Sequence, residues 1–311
     1  MSRSSSTDTT DLDKQTPPPP PQPQLQLQPT STTQEPLHEL PNILKESITG
    51  FGGFGALLLQ IAHPGVARGV NNHSEFATRQ IDRAEKTAIY VYMMVYGSDE
   101  EKNLIREWVN RMHARVQGGQ GVGEEKYSAQ DPDLQLWVAA TLYVGWVKSY
   151  EMAFGPLPAA KAEKVYQEFS VFGTSLQVPR EKWPTDIAAF NEYYEWIVRT
   201  QLRLVPEGEQ VYYHIMHPNL PWAFKPFIPL FMYITRIFSV DYLPEGVRAT
   251  YGLKATTKYD RVMRRVLMAQ YKLTPGFIRT WPKKYYMKRG RVMVAKLKER
   301  GFTGELRMSK Y

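Results

Sequence analysis

Residues 47–67, SITGFGGFGALLLQIAHPGVA, carry no formal charge over a length that could cross a bilayer. Such a stretch has to lie in a protein core or in lipid. Gly52, Gly53, Gly55, Gln60, His63 and Pro64 interrupt it and argue against a membrane span. The reading is a buried helix from about Gly55, entered through a glycine-rich turn, with a shallow or re-entrant membrane contact as the alternative. His63 runs straight into Pro64, which puts it near a kink or helix end. His73 follows among Asn71, Asn72 and Ser74, as in a turn or cap.

The chain of 311 residues is 42% hydrophobic, enough for a sizeable core. It has no cysteine, which excludes disulfides, Cys-ligated zinc, iron–sulfur clusters, thiolate-ligated haem and a cysteine nucleophile. The formal net charge is +8. Most of it falls in residues 283–300, where eight Lys and Arg face only Glu299. That segment suits an anionic surface, or is simply a solvated face and tail. No nucleic-acid recognition motif accompanies it, so nucleic acid is not an expected partner.

Residues 1–36 are low complexity and rich in Pro and Gln, and such a segment stays disordered. The expected organisation is a disordered segment over 1–40, one all-helical domain over 41–282, and a basic tail over 283–311. Residues 79–96 read as a helix stopped by Gly97 and Ser98. Ser98 with Glu101 forms a capping-box pattern before a helix bearing Leu104, Ile105, Trp108, Met112 and Val116. DPDLQLWVAATLYVGWVKSYEMAF is a long apolar helix ended by Gly155 and Pro156, and residues 159–176, 186–201 and 257–271 are amphipathic helices. Residues 222–240 are a second apolar stretch, broken by Lys225, Pro226, Pro229 and Arg236. It fits a core helix, or an element lying on a membrane with the basic segment as its electrostatic partner. The expected class is all-α, in one domain.

Single residues point weakly to chemistry. On a helix, Arg83, Lys86 and Thr87 share a face and suit an oxygen or anion pocket; Asp82 and Glu85 would otherwise neutralise the cations. His113 lies between Met112 and Val116, as a core histidine or as an axial ligand in an apolar slot. His214 and His217 could share a metal, but no carboxylate is spaced to complete the site. No G-x-S-x-G supports a hydrolase.

The order of the motifs is more specific. LLLQIAHPGVARGVNNHSEF, RAEKT, VYG, RMHARVQG, YSAQDPDLQLWVAATL, GPLP and NEYYEW together resemble the MpaB-type and rubber-oxygenase catalytic-domain family, over roughly residues 50–250. The resemblance implies a globin-reminiscent helical fold, one haem b with its iron, and oxidative cleavage of C=C bonds in an apolar substrate by dioxygen. It further implies a fungal-type member acting in secondary metabolism on an isoprenoid, terpenoid or polyketide, in the cytoplasm or peripherally on the endoplasmic reticulum membrane. By the same resemblance His113 is the proximal iron ligand, Arg83, Lys86 and Thr87 are distal-pocket residues, and His63 and His73 match two upstream histidines. Glu75 is the nearest match to a catalytic base. Two other readings stand beside it. One is a haem-independent oxidoreductase or lyase using His63, His73 and Arg83 as acid–base groups. The other is a non-catalytic haem- or lipid-binding protein attached to a membrane through residues 222–240 and 283–300.

Overall fold

A computed structural model describes residues 36–73, 76–119, 121, 125–218 and 222–304. The low-complexity segment over 1–35, Glu75 and the last residues of the basic tail lie outside them. The described chain is all-α, as expected. In order the helices are α1 (Leu40–Leu44), α2 (Gly52–Ile61), α3 (Pro64–His73), α4 (Phe76–Tyr96), α5 (Asp99–His113), α6 (Pro132–Phe154), α7 (Ala159–Phe169) and α8 (Val171–Thr174). They continue with α9 (Ile187–Thr200), α10 (Pro206–Met216), α11 (Ile228–Ser239), α12 (Glu245–Thr250), α13 (Lys258–Leu273), α14 (Gly276–Arg279) and α15 (Trp281–Glu299). Two two-residue strands, β1 (Gln117–Gly118) and β2 (Tyr127–Ser128), close one antiparallel hairpin between α5 and α6.

Local chemistry fixes the ends of the helices that carry the site. The Glu101 N–H donates to Ser98 Oγ at 3.2 Å and the Ser98 N–H to Glu101 Oε2 at 2.9 Å, so the capping box starts α5. Asp131 Oδ1 accepts from the Asp133 N–H at 2.8 Å, and Pro132 occupies the first turn of α6. Gly155, at φ 91°, ends that helix in a conformation that favours glycine.

The uncharged stretch does become a buried helix, but its glycines are not a turn. A 3-10 turn over Ser47–Phe51 leads in, and α2 starts at Gly52. The reason is tertiary. A Cβ on Gly52 would sit 2.0 Å from the Gly145 carbonyl oxygen of α6, and one on Gly55 would sit 2.2 Å from the Tyr242 hydroxyl. Glycine lets the two backbones touch. Leu58, Leu59 and Ile61 are then fully buried, and Trp137 of α6 donates its indole N–H to the Leu59 carbonyl at 3.3 Å. Gln60, out of place in an apolar run, donates to Thr141 Oγ1 of α6 at 2.9 Å. Three hydroxyls from farther along the chain donate to carbonyls at the start and middle of this segment. Ser239 reaches Phe51, Tyr242 reaches Gly52, and Tyr251 reaches Leu58, at 3.0, 2.7 and 3.0 Å.

The basic segment lies on α15, which packs along α4 and α5 through Met287, Gly290, Val294 and Leu297. Three of its cations meet acids of that surface: Arg289 with Glu85, Arg291 with Glu101 and Lys298 with Glu100. The second apolar stretch divides. Thr235, Ile237, Phe238 and Ser239 of α11 are buried, whereas Phe227, Leu230 and Phe231 at its start are exposed. No helix among the described residues is long and apolar enough to cross a membrane.

Candidate functional site

His113 is the last residue of α5. The apolar stripe of that helix ends before it: Leu104, Ile105 and Val109 are buried, but Met112 is exposed. A helix C-terminus favours a protonated imidazole by about 0.3–1 kcal/mol. Burial opposes this, and so does the charge of Arg83 on neighbouring α4; together they lower the His113 pKa to about 4. Burial outweighs the helix dipole, and the ring is neutral at pH 7. Its Nδ1 is buried and makes no hydrogen bond among the described residues. A neutral imidazole with an unused ring nitrogen is a donor that could hold an iron-bearing group.

The expected trio on α4 separates. Arg83 is half-buried and burial lowers its pKa. Lys86 Nζ instead donates to Asp82 Oδ2 at 2.8 Å, and Arg79 reaches the same oxygen at 2.8 Å. That pairing holds the Asp82 carboxyl below its usual range. Thr87 is exposed. Of Arg83, Lys86 and Thr87, then, Arg83 is the one whose charge acts on His113. Glu85 turns away to Arg289 and Tyr285 of α15.

His63 and His73 stand at opposite ends of α3, and His73 meets Tyr127 of the hairpin that follows His113. His63 occupies the bend between α2 and α3, where its Nδ1 accepts the Gly65 N–H at 3.2 Å. Burial and the nearby Arg203 charge lower its pKa to about 4, against the opposite pull of Asp131 and Glu125. Above it Glu125 joins Arg68 at 2.7 Å and Arg203 in ion pairs. His73 is exposed, and its Nε2 lies 3.1 Å from the Tyr127 hydroxyl, which also accepts from Asn72 at 3.2 Å. The hairpin is tied to α5 by the Val116 N–H donating to the His113 carbonyl at 2.9 Å. Gly69 of α3 passes close enough that a Cβ there would be 3.3 Å from Val116. α10 completes the corner: its His214 carbonyl accepts from Gln80 of α4 at 2.6 Å. His214 and His217 do not form a metal cluster, and no group of three or more His, Asp or Glu among the described residues could hold one.

Sequence reasoning passed over Arg106, two helical turns before His113 on the same face of α5. It is half-buried with its Nε unpartnered, near Tyr90, whose hydroxyl pairs with Ser175 Oγ at 2.8 Å. The seven-residue spacing was a usable signal. Tyr127 gave none, because only the hairpin brings it to His73. A separate groove of about 580 Å³ lies at the far end of α4, lined by Tyr96 with Lys283, Lys284, Lys288 and Arg291 of α15.

Comparison with known proteins adds a family. A family model described as ER-bound oxygenase mpaB/B'/rubber oxygenase, catalytic domain, matches residues 41–273. Uncharacterized proteins of Mycobacterium bovis and Mycobacterium tuberculosis are each 38% identical over 143 residues, covering 45% of this chain and 56% of theirs. The chain thus spans about half the length of these curated relatives. No solved structure matches.

Proposed function

The chain belongs to the mpaB/rubber oxygenase catalytic-domain family, and from that premise we propose that it is a haem b-dependent oxygenase acting with dioxygen on a hydrophobic isoprenoid, terpenoid or polyketide. The observation that carries this reading is the neutral His113 with its buried, unpartnered Nδ1 beside Arg83. Haem b, when bound, supplies the iron on which dioxygen chemistry depends. The residues do the rest. His113 offers a nitrogen that needs no deprotonation. Burial, aided by Arg83, keeps it neutral, and Arg83 provides a fixed positive charge for an anionic carboxylate or for negative charge developing on oxygen. Lys86, held by Asp82, and the Thr87 hydroxyl stand at the solvent edge of the same helix. Ile81, Met112 and Tyr213 are exposed apolar side chains on α4, α5 and α10, the three elements of this corner, and suit an apolar substrate.

The test is an absorption spectrum of the protein expressed with haem precursor, before and after dithionite and carbon monoxide. A Soret band that shifts on reduction, and that His113→Ala removes while the fold persists, is the expected result. A full haem spectrum in His113→Ala would sink the ligand assignment.

A second reading has its own observation. His63 is neutral at pH 7 and lies among Arg203, Asp131 and Glu125, an arrangement able to take and return a proton. A flat visible spectrum in a fully folded protein, with activity lost in His63→Gln, would favour haem-independent acid–base chemistry there.

A further inference from the structure

α13 has two apolar faces, and only one is used by the core. Met263, Leu267, Met268 and Tyr271 pack inward. Tyr259, Val262, Val266 and Leu273 recur at helical spacing on the opposite side, with Ala269 between the last two. They are exposed by 66, 53, 47 and 84%. Lys258, Arg261, Arg265 and Lys272 form a second stripe immediately beside them, all exposed. None of these four cations forms an ion pair among the described residues, unlike Arg264, which meets Asp241 on the inner side. From Lys258 to Lys298 the chain contains one acid, Asp260. It is buried, where it accepts from Tyr233 and Thr257 and pairs with Arg236. The outer surface of α13 is therefore apolar and cationic, with no negative charge of its own. The apolar surface also continues along the chain: Phe277 and Ile278 of α14 and Trp281 at the start of α15 are exposed.

We propose that the outer face of α13 docks on an anionic phospholipid surface, with the apolar stripe in the headgroup–acyl boundary and the cationic stripe against lipid phosphates. An amphipathic helix with aromatic and aliphatic residues on one stripe and Lys and Arg on the next has the composition of an interfacial helix. Charge selects the occupant. A second copy of this chain would bring like charges together across the pair, whereas an anionic bilayer neutralises them. The α15 cations are a poorer candidate for this surface because Glu85, Glu100 and Glu101 already face three of them. The inference does not depend on haem.

The experiment is vesicle co-sedimentation of the full chain, with phosphatidylcholine alone and with phosphatidylserine added. The expected result is binding to the anionic vesicles only, weakening with salt. Arg261→Ala with Arg265→Ala should lower the partition roughly 30-fold. Val262→Ser with Val266→Ser should lower it roughly tenfold or more. These side chains are exposed, so circular dichroism should report unchanged folds. As a second readout, the emission of Leu273→Trp should shift to the blue on anionic vesicles. Absence of vesicle binding by the unaltered chain, or equal binding to neutral vesicles, would overturn the proposal. So would full retention in both pairs, or a larger loss from Lys284→Ala with Lys288→Ala. A dimer in solution that Val266→Asp dissociates would assign the face to a second copy instead.

Discussion

Where α2 crosses α6, glycines bring two backbones into contact; Gln60 takes Thr141 and the Gly52 carbonyl takes Tyr242, while Ser149 Oγ and the Trp146 indole N–H of α6 are buried without a partner among the described residues. Where α4 passes the end of α5, an imidazole lies buried with a nitrogen unused, and the arginine beside it is half-buried. The first region spends its residues on close contact between backbones. The second keeps the His113 Nδ1 out of water without a partner, a cost of roughly 1–3 kcal/mol. The regions differ in the kind of group left unpartnered: an imidazole nitrogen can ligate a metal, whereas the indole N–H of the seam can only donate a hydrogen bond.

Substitutions can break that contrast. The largest effect is expected at the seam. Gly52→Ala would place a methyl 2.0 Å from the Gly145 carbonyl oxygen, against backbone that cannot step aside. It should destabilise by about 3 kcal/mol or more, read as a lower urea midpoint or as failure to fold. Acid comes next. His63 and His113 both have pKa values lowered to about 4, below the ordinary 6.5. The unfolded chain therefore binds more protons between those values. The stability from keeping both rings neutral is complete above pH 6.5 and is lost as pH falls toward 4. The loss should be roughly 3 kcal/mol per histidine by urea titration across that range. His63→Gln should remove the His63 share.

His113→Leu should sharpen the contrast from the other side. It replaces an imidazole with an unpartnered nitrogen by an apolar side chain of similar bulk, so the urea midpoint should hold or rise, by up to about 1 kcal/mol, while any haem band is lost. A large destabilisation would make His113 an ordinary core residue. The smallest effect belongs to the surface. Arg289→Ala breaks an exposed pair with Glu85 and should leave the urea midpoint essentially unchanged.

Local signals in the sequence carried the helices well. Ser98 with Glu101, Asp131 before Pro132, and Gly155 before Pro156 act within a few residues, and the structure uses each of them. Gly52 and Gly53 were misread as part of a turn because the purpose of Gly52 lies on α6, far along the chain. Arg83, Lys86 and Thr87 share a face by spacing, yet Asp82 claims Lys86 and leaves Arg83 to His113, a division that spacing does not encode. No signal in the sequence says that His73 meets Tyr127, because only the hairpin over β1 and β2 brings the two together. α13 posed the opposite problem. Its periodicity announces two apolar stripes and does not say which one meets the core.

The hydroxyls that grip α2 also set an order in time. Ser239, Tyr242 and Tyr251 are separated from their acceptors by 188, 190 and 193 residues. During synthesis the greasiest helix of the protein leaves the ribosome early and waits for most of the chain before its carbonyls are met. Contacts so distant in sequence form slowly. The waiting segment is the natural place for a chaperone to bind and for aggregation to begin.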